Sequence, residues 1–439
     1  MLEGLMRLAG NKGRRVVLAA AAVLVLGLFA LSRTERLRWG ATGSARLVSI
    51  EELPETGDAC YRPASAEPRE QSLFAEFGAT TAYAQDSGGT VAVTRPPVRD
   101  ISDTAPIYSS VGVDTERNEV FLQDSNTWSI RVFGRLDNAL PNAPPTEARR
   151  VITGSKTDIQ FNSCVWVDPA SGDIYSVEND IGDTIVTFAN RATGDAEPIN
   201  KLKVTHRAFA MAMDNDAQEL FLSVQYPPQV AVYRKGASGD EKPRRLLQGE
   251  KTRLSDSHGI AIDTRNKLLF VNNWGNISDY KTAGSGRFES PSITVYPLTA
   301  DGDTPPLRVI QGARTQLDWP GAMSLDPATG DLYVANDMGQ SILVFHGTDK
   351  GDAAPARVVK GAKTRLSYPT GVFVDAKNKE VWASNLGNSS ATVYPLGANG
   401  DVAPLRTIRS AERDKASLRF GKTQALAYDS KREQILVPN

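Results

Sequence analysis

Gly302-Asp303-Thr304-Pro305-Pro306-Leu307-Arg308-Val309-Ile310-Gln311-Gly312-Ala313-Arg314-Thr315-Gln316-Leu317, followed shortly by Ser324-Leu325-Asp326, is one unit of a pattern that recurs along the chain. Gly-Asp with a proline three residues after the aspartate occurs at Asp195/Pro198, Asp240/Pro243, Asp303/Pro306, Asp352/Pro355 and Asp401/Pro404. A second phrase, Gly-x-(Lys/Arg)-Thr-x-(Leu/Ile), opens at Gly154, Gly249, Gly312 and Gly361. A third is an apolar stretch ending in aspartate, at Asp114, Asp168, Asp214, Asp263, Asp326, Asp375 and Asp429. These aspartates are spaced by about 52 residues on average, a period that means a solenoid, a propeller or an array.

Local pattern chooses among the three. Around Asp263 the chain runs Gly259-Ile260-Ala261-Ile262-Asp263, a polar turn, then Leu268-Leu269-Phe270-Val271-Asn272, and later Ile293-Thr294-Val295-Tyr296 and Leu307-Arg308-Val309-Ile310. These are four short strands per unit, separated by turn chemistry such as Pro327-Ala328-Thr329-Gly330-Asp331. No helical periodicity competes. Four antiparallel strands repeated at this period make the blade of a β-propeller, which removes sheet edges by radial closure. The expected fold is therefore all-β.

Seven blades are expected, with six as the alternative. Val91-Ala92-Val93-Thr94 and Pro97-Val98-Arg99-Asp100-Ile101 read as third and fourth strands without a first or second. Ala425-Leu426-Ala427-Tyr428-Asp429 and Gln434-Ile435-Leu436-Val437-Pro438-Asn439 read as the missing pair. Joined, they would make a composite blade that closes the ring by pairing N- and C-terminal strands. The weakest unit is the one around Asp214.

Pro369-Thr370-Gly371-Val372-Phe373-Val374-Asp375, the strand ending in asparagine that follows it, and Ile-x-Val-Tyr phrases such as Ile293 to Tyr296 resemble bacterial NHL-type propeller repeats, over roughly residues 91–439. The gluconolactonase and senescence-marker propellers are a more distant likeness. The resemblance implies the fold and leaves the function open, because one such scaffold carries many activities.

The N-terminus is of another kind. Residues 1–15 are basic, with Arg7, Lys12, Arg14 and Arg15, and Val16 to Leu31 carries no charge. Residues 16–32 are read as a signal anchor or transmembrane helix, with the propeller on the extracytoplasmic, periplasmic side of the inner membrane. Cleavage near Ala30 and Ser32, giving a secreted protein, is the alternative, since sixteen apolar residues is short for a span. Residues 33–88 read as a flexible tether, leaving 89–439 for the propeller. Lys plus Arg number 50 against 51 Asp plus Glu, so charge offers no argument for nucleic acid. Cys60 and Cys164 are expected as free thiols, or Cys60 as an intermolecular link.

In a propeller the loops entering the first strand and those joining strands two and three share one face, the mouth. Ten residues past the repeat aspartates stand Asp124, Glu178, Val224, Asn273, Asn336, Asn385 and Asn439. Two carboxylates with several amides are candidate oxygen ligands for Ca2+ or another divalent cation, above all Asp124, Glu178, Asn273 and Asn336. The competing reading is that these side chains satisfy turn backbone. Five residues before the aspartates, His258 stands out among Ser109, Ser163, Phe209, Gly321, Thr370 and Gln424, as a candidate ligand-binding or basic residue. Lys156, Lys251, Arg314 and Lys363 precede the repeated threonine, either as an anion-attracting rim or as solvated loop positions. The longest unit carries an insertion, Trp274 to Pro291, whose Trp274 and Tyr280 are the aromatic residues expected at a recognition surface.

No zinc spacing, phosphate loop, nucleophile elbow or cofactor fingerprint is present. Two functions remain. One is a membrane-tethered propeller that binds or scaffolds a protein, peptide or glycan partner through Asn273, Trp274, Tyr280, His258, Asn336 and Asn385. The other is a metal-dependent hydrolase or lactonase with its site in the central pore.

Overall fold

The computed structural model describes residues 105–140, 142–179, 181–277 and 286–411, and the strands at 81–86, 89–94, 427–429 and 434–436 as backbone alone. The apolar run Val16 to Leu31 and most of the tether lie outside the described residues, among which no helix is long and apolar enough to cross a membrane.

Six sheets of four antiparallel strands follow one another along the chain. Blade 1 comprises Tyr108–Asp114, Glu119–Asp124, Ser129–Gly134 and Arg150–Ile152, and blade 2 Asn162–Val167, Ile174–Glu178, Thr184–Phe188 and Asn200–Lys203. Blade 3 is built from Ala208–Asp214, Glu219–Val224, Gln229–Arg234 and Arg245–Gln248, and blade 4 from Ser257–Asp263, Leu268–Asn273, Ser292–Pro297 and Arg308–Gln311. Pro320–Leu325, Asp331–Asn336, Ser341–His346 and Arg357–Val359 form blade 5. Blade 6 closes the series with Pro369–Asp375, Glu380–Asn385, Ser390–Pro395 and Arg406–Arg409. The weakly repeating unit around Asp214 makes a full blade, in which Leu220, Leu222 and Val224 of the second strand join the core shared with blade 2.

The ring has six blades, not seven. Its first strands pack in sequence, and that of blade 6 lies directly against that of blade 1, where Thr370 Oγ1 donates to Tyr108 O at 3.3 Å. Among the described residues the expected composite blade does not form: Gly89–Thr94 pairs with Thr81–Asp86, and Ala427–Asp429 with Gln434–Leu436, each in a two-stranded sheet of its own. A hairpin and the inner half of a blade have the same local pattern, which is why the phrase ending at Asp429 counted as a unit. Side chains seal the joint instead. Tyr108, Phe133 and Val111 of blade 1 share one core cluster with Trp382, Val393 and Ile408 of blade 6. Arg135 and Arg406 both reach Glu380 Oε2, at 3.0 and 2.7 Å, and Ala139 N and Thr146 N donate to Thr407 O and Arg409 O.

The core lies between blades. Each of six apolar clusters joins two neighbours, such as Val177, Leu202 and Tyr175 of blade 2 with Met211, Leu222 and Tyr233 of blade 3. Fully burying each large side chain contributes about 1.5–3 kcal/mol, so the ring is stabilised by contacts that no single blade can make alone.

The repeated phrases are the joints. The Gly-Asp phrase sits between strands three and four, and its glycine forms a parallel bridge to the outer strand of the preceding blade: Ile152 with Gly194, Leu202 with Gly239, Leu247 with Gly302, Ile310 with Gly351 and Val359 with Gly400. The following aspartate accepts from the backbone of the second phrase in that preceding blade, at 2.7 Å in the pairs Lys156/Asp195, Lys251/Asp303, Arg314/Asp352 and Lys363/Asp401. Gly312 shows why a glycine must stand opposite. Its φ is +142°, and a Cβ there would meet Asp352 Oδ1 at 2.4 Å. The four rim cations are therefore placed by their backbone N–H groups; the side chains of Lys156 and Lys251 are exposed. The aspartates of the third phrase cap the turn after the first strand, as when Asp375 Oδ1 accepts from Asn378 N at 2.9 Å.

Candidate functional site

Every first strand is broken by a register shift near its start, in all six blades. The shift falls at Ser109, Ser163, Phe209, His258, Gly321 and Thr370, the positions singled out by their spacing before the repeat aspartates. A bulge frees one residue from the ladder and re-aims it. Four of the six do modest work there: Ser163 Oγ donates to Phe209 O at 2.7 Å, Ser109 and Thr370 make similar bonds to the next blade, and Gly321 has no side chain. Phe209 and His258 differ.

His258 is buried, with its ring stacked on Trp274 at a centroid distance of 3.5 Å and an interplanar angle of 8°. Phe209 lies against its other side at 4.2 Å, and Trp274 continues to Trp319 at 4.5 Å and 30°. Four rings from blades 3, 4 and 5 thus form one column. Its outer end is open, because Trp319 is 41% exposed and Met338, on the turn between strands two and three of blade 5, is 46% exposed. Trp319 holds a φ of +51°, one residue before the first strand of blade 5. Arg207, Asp256 and Tyr368 hold the same left-handed backbone one residue before the first strands of blades 3, 4 and 6, so this turn belongs to the repeat. Trp274 is fixed through Nε1, which donates to Pro320 O at 2.9 Å.

Polar groups clamp the imidazole. Nδ1 lies 2.9 Å from Asp256 O and 3.4 Å from Asp256 Oδ1, and Nε2 lies 2.8 Å from Gln225 Nε2. The consistent assignment is the neutral tautomer, donating through Nδ1 and accepting at Nε2 from the Gln225 amide. Gln225 in turn is held by Asn179 Nδ2 and Asp256 Oδ1, and Asp256 Oδ2 accepts from Asn276 Nδ2 at 2.8 Å. With both nitrogens engaged, His258 is arranged to position the column rather than to move a proton.

The strand-two termini are placed otherwise. Asp124, Glu178, Asn273, Asn336 and Asn385 are all buried, and each accepts from a backbone N–H of its own blade's entry loop: Ile107, Gln160, Ser255, Asp318 and Ser367. Asp124 adds Asn126 N, Thr127 N and Arg131 Nε. Asn273 Oδ1 also takes Ser257 Oγ, while its amide donates to Val271 O, Ser292 Oγ and Thr294 Oγ1. Glu178 takes Ser176 Oγ at 2.7 Å, and its burial pushes the carboxyl up to about 7 against the bonds from Ser176 and Gln160 that pull it down. Each of these groups bonds to the entry loop of its own blade. Among the described residues no group of three or more His, Cys, Asp or Glu side chains is gathered as a metal ion requires.

The structure therefore stacks His258 on Trp274, with Asn273 bonded beside them to Ser255 and Ser257, while Asp124, Glu178, Asn336 and Asn385 bond within their own blades. Tyr280 lies outside the described residues. Cys164 is a free, half-buried thiol, whose burial pushes it up to about 11; Cys60 lies outside the described residues. Sequence reasoning missed Trp319, Phe209 as a partner, Gln225 and Asp256. The available signal was departure from the repeat: bulky rings at two bulge positions where the other blades have hydroxyls or hydrogen.

No protein-family model matches the chain, and no curated protein matches it. Among solved structures, a chain of hydrazine synthase from Kuenenia stuttgartiensis is similar with a TM-score of 0.46 at 11% identity, covering 70% of this chain and 100% of that one. A chain of a nidogen/laminin complex is similar with a TM-score of 0.46 at 16% identity, covering 66% of this chain and 92% of that one.

Proposed function

We propose that this propeller is a binding or scaffold module that receives a protein, peptide or glycan partner on its mouth face, at the Phe209–His258–Trp274–Trp319 column. The observation that carries this reading is the open end of the column: an exposed indole at the end of a hydrogen-bonded aromatic stack that departs from the repeat. Aromatic rings held this way present large contact area at little conformational cost, the character of binding hot spots. The two-stranded ribbon Asn276–Ile277 and Arg287–Phe288 extends the insertion beside it, with Phe288 exposed.

The same proposal includes the extracytoplasmic setting. The charge-free run Val16 to Leu31 behind basic residues supports a membrane tether, with the propeller held outside the inner membrane by residues 33–88. The phrases around Pro369 to Asp375 support kinship with NHL-type repeats.

The test is partner capture with full-length protein on defined peptide and glycan arrays, comparing wild type with Trp319→Ala and with Trp128→Ala, an exposed tryptophan on blade 1 away from the column. Ligands lost on Trp319→Ala and retained on Trp128→Ala support the column as the site. A binding profile that Trp319→Ala leaves intact rules it out.

A further inference from the structure

The outer strands carry a second repeated arrangement, and one blade departs from it. In blades 1, 3, 5 and 6 the fourth strand begins with arginine, paired in the ladder opposite a valine whose other neighbour is aromatic. Each guanidinium lies over that ring, Arg150 on Phe121, Arg245 on Phe221, Arg357 on Tyr333 and Arg406 on Trp382, at 5.3–5.8 Å. Each also pairs with a carboxylate at the start of the second strand: Glu119, Glu219, Asp331 and Glu380. Blade 4 keeps the arginine, Arg308, and the ring, Phe270, but has Leu268 where the carboxylate stands. Among the described residues Arg308 makes neither the ion pair nor the ring contact. One guanidinium nitrogen donates to Gly347 O, while its buried Nε has no acceptor, as is also true of Arg245 in blade 3. A cation that in four counterparts pairs directly with a carboxylate makes no such ion pair here among the described residues, and Asp349 acts on it only at a distance.

Arg308 lines a groove of about 730 Å³ with Lys251 and Arg253 from the turn after blade 3, Lys350 and Gly351 from blade 5, and Pro305, Pro306, Leu307 and Val309. The lining holds four cations and no carboxylate. Asp303, the nearest acid to Lys251 at 4.0 Å, is already held by Lys251 N, and Arg253 donates to Gln311 Oε1 at 3.0 Å. Leu307, 58% exposed, and the two prolines give the groove an apolar wall.

We propose that this groove, at the perimeter between blades 3, 4 and 5, binds an acidic peptide segment of a partner protein, with carboxylates on Arg308 and the three neighbouring cations and an apolar side chain against Leu307. A peptide fits better than a compact anion. The cations come from three separate segments along an open surface, and the apolar wall between them gives a phosphate nothing to contact. Partial burial holds the Arg308 guanidinium below its usual range, against the opposing field of the Asp349 carboxylate. The site is independent of the aromatic column.

The test uses full-length protein and a fluorescein-labelled octapeptide of alternating glutamate and leucine, followed by anisotropy, with a glutamine-for-glutamate control peptide, inorganic phosphate and phosphatidylserine vesicles as competitors. The acidic peptide is expected to bind and the control not to. Arg308→Gln is expected to weaken binding about tenfold, the size of one charge-assisted hydrogen bond. Leu268→Glu supplies the internal partner found in four other blades and is expected to weaken binding similarly while the melting temperature holds or rises. Absence of peptide binding, equal binding of the glutamine control, or unchanged affinity in both variants overturns the proposal. So does displacement of the peptide by phosphate or vesicles at concentrations comparable to its own, which would assign the groove to those anions.

Discussion

Two sets of side chains on this ring serve opposite ends. The strand-two termini recur from blade to blade, are buried, and bond to their own entry loops. The aromatic column occurs once, crosses three blades and ends in solvent. In a repeat protein what recurs is what every unit needs in order to fold; what departs from the repeat is free to do something else. Arg308 teaches the same lesson from the outer rim.

This contrast can be broken most directly at Asn273. Asn273→Leu leaves Ser255 N and Ser257 Oγ without their acceptor in a buried site, and should cost about 3 kcal/mol or more in urea unfolding. A loss below about 1 kcal/mol would return the position to the pool of ligand-binding candidates. Next comes Glu178. Its folded-state pKa of about 7 lies above the 4.5 of a free side chain, so the folded chain holds the proton more tightly than the unfolded one. The stability it contributes is complete at pH values below the unfolded pKa and is lost as pH rises through the folded one. Glu178→Gln should remove up to about 3 kcal/mol of that dependence, seen as a flatter plot of melting temperature between pH 4.5 and 7; an unchanged slope would contradict the burial argument.

Smaller effects sharpen the comparison. Gly312→Ala drives a Cβ into Asp352 at a backbone angle that disfavours it, and should cost about 1–3 kcal/mol, measured by thermal unfolding. Trp319→Ala should change stability by less than about 1 kcal/mol although it removes the largest exposed ring of the column, and its effect should appear in binding alone. A melting-temperature drop comparable to that of Asn273→Leu would make the column a packing element. Last, chelator should leave the melting curve of the whole chain in place, because the oxygens of Asp124 and Glu178 are already occupied by N–H and O–H donors; a shift on adding EDTA, reversed by Ca2+, would reinstate the cation reading.

The blade was legible in the sequence because its determinants are local: alternating strands, Pro and Gly turns, and a capping aspartate. The count was not, because closure depends on whether Pro369–Asp375 meets Tyr108–Asp114 or leaves a gap, and that is decided by packing of Tyr108, Phe133 and Trp382. His258 and Trp274 stood out as departures from the repeat. Phe209, Gln225 and Trp319 did not, since they join the site only through the angular register of neighbouring blades. The Gly-Asp and Gly-x-(Lys/Arg)-Thr phrases were visible as patterns, while their meaning as two halves of one joint required the fold.

The seam between the last blade and the first also governs how the ring would respond to force. In a propeller whose terminal strands share one sheet, tension along the chain must shear a whole ladder of hydrogen bonds. Here the chain enters the ring at Tyr108 and leaves it after Arg409, and both points lie at the same joint. Traction on either end would therefore peel blade 6 from blade 1 and load the shared carboxylate of Glu380 first, with few bonds stretched in parallel.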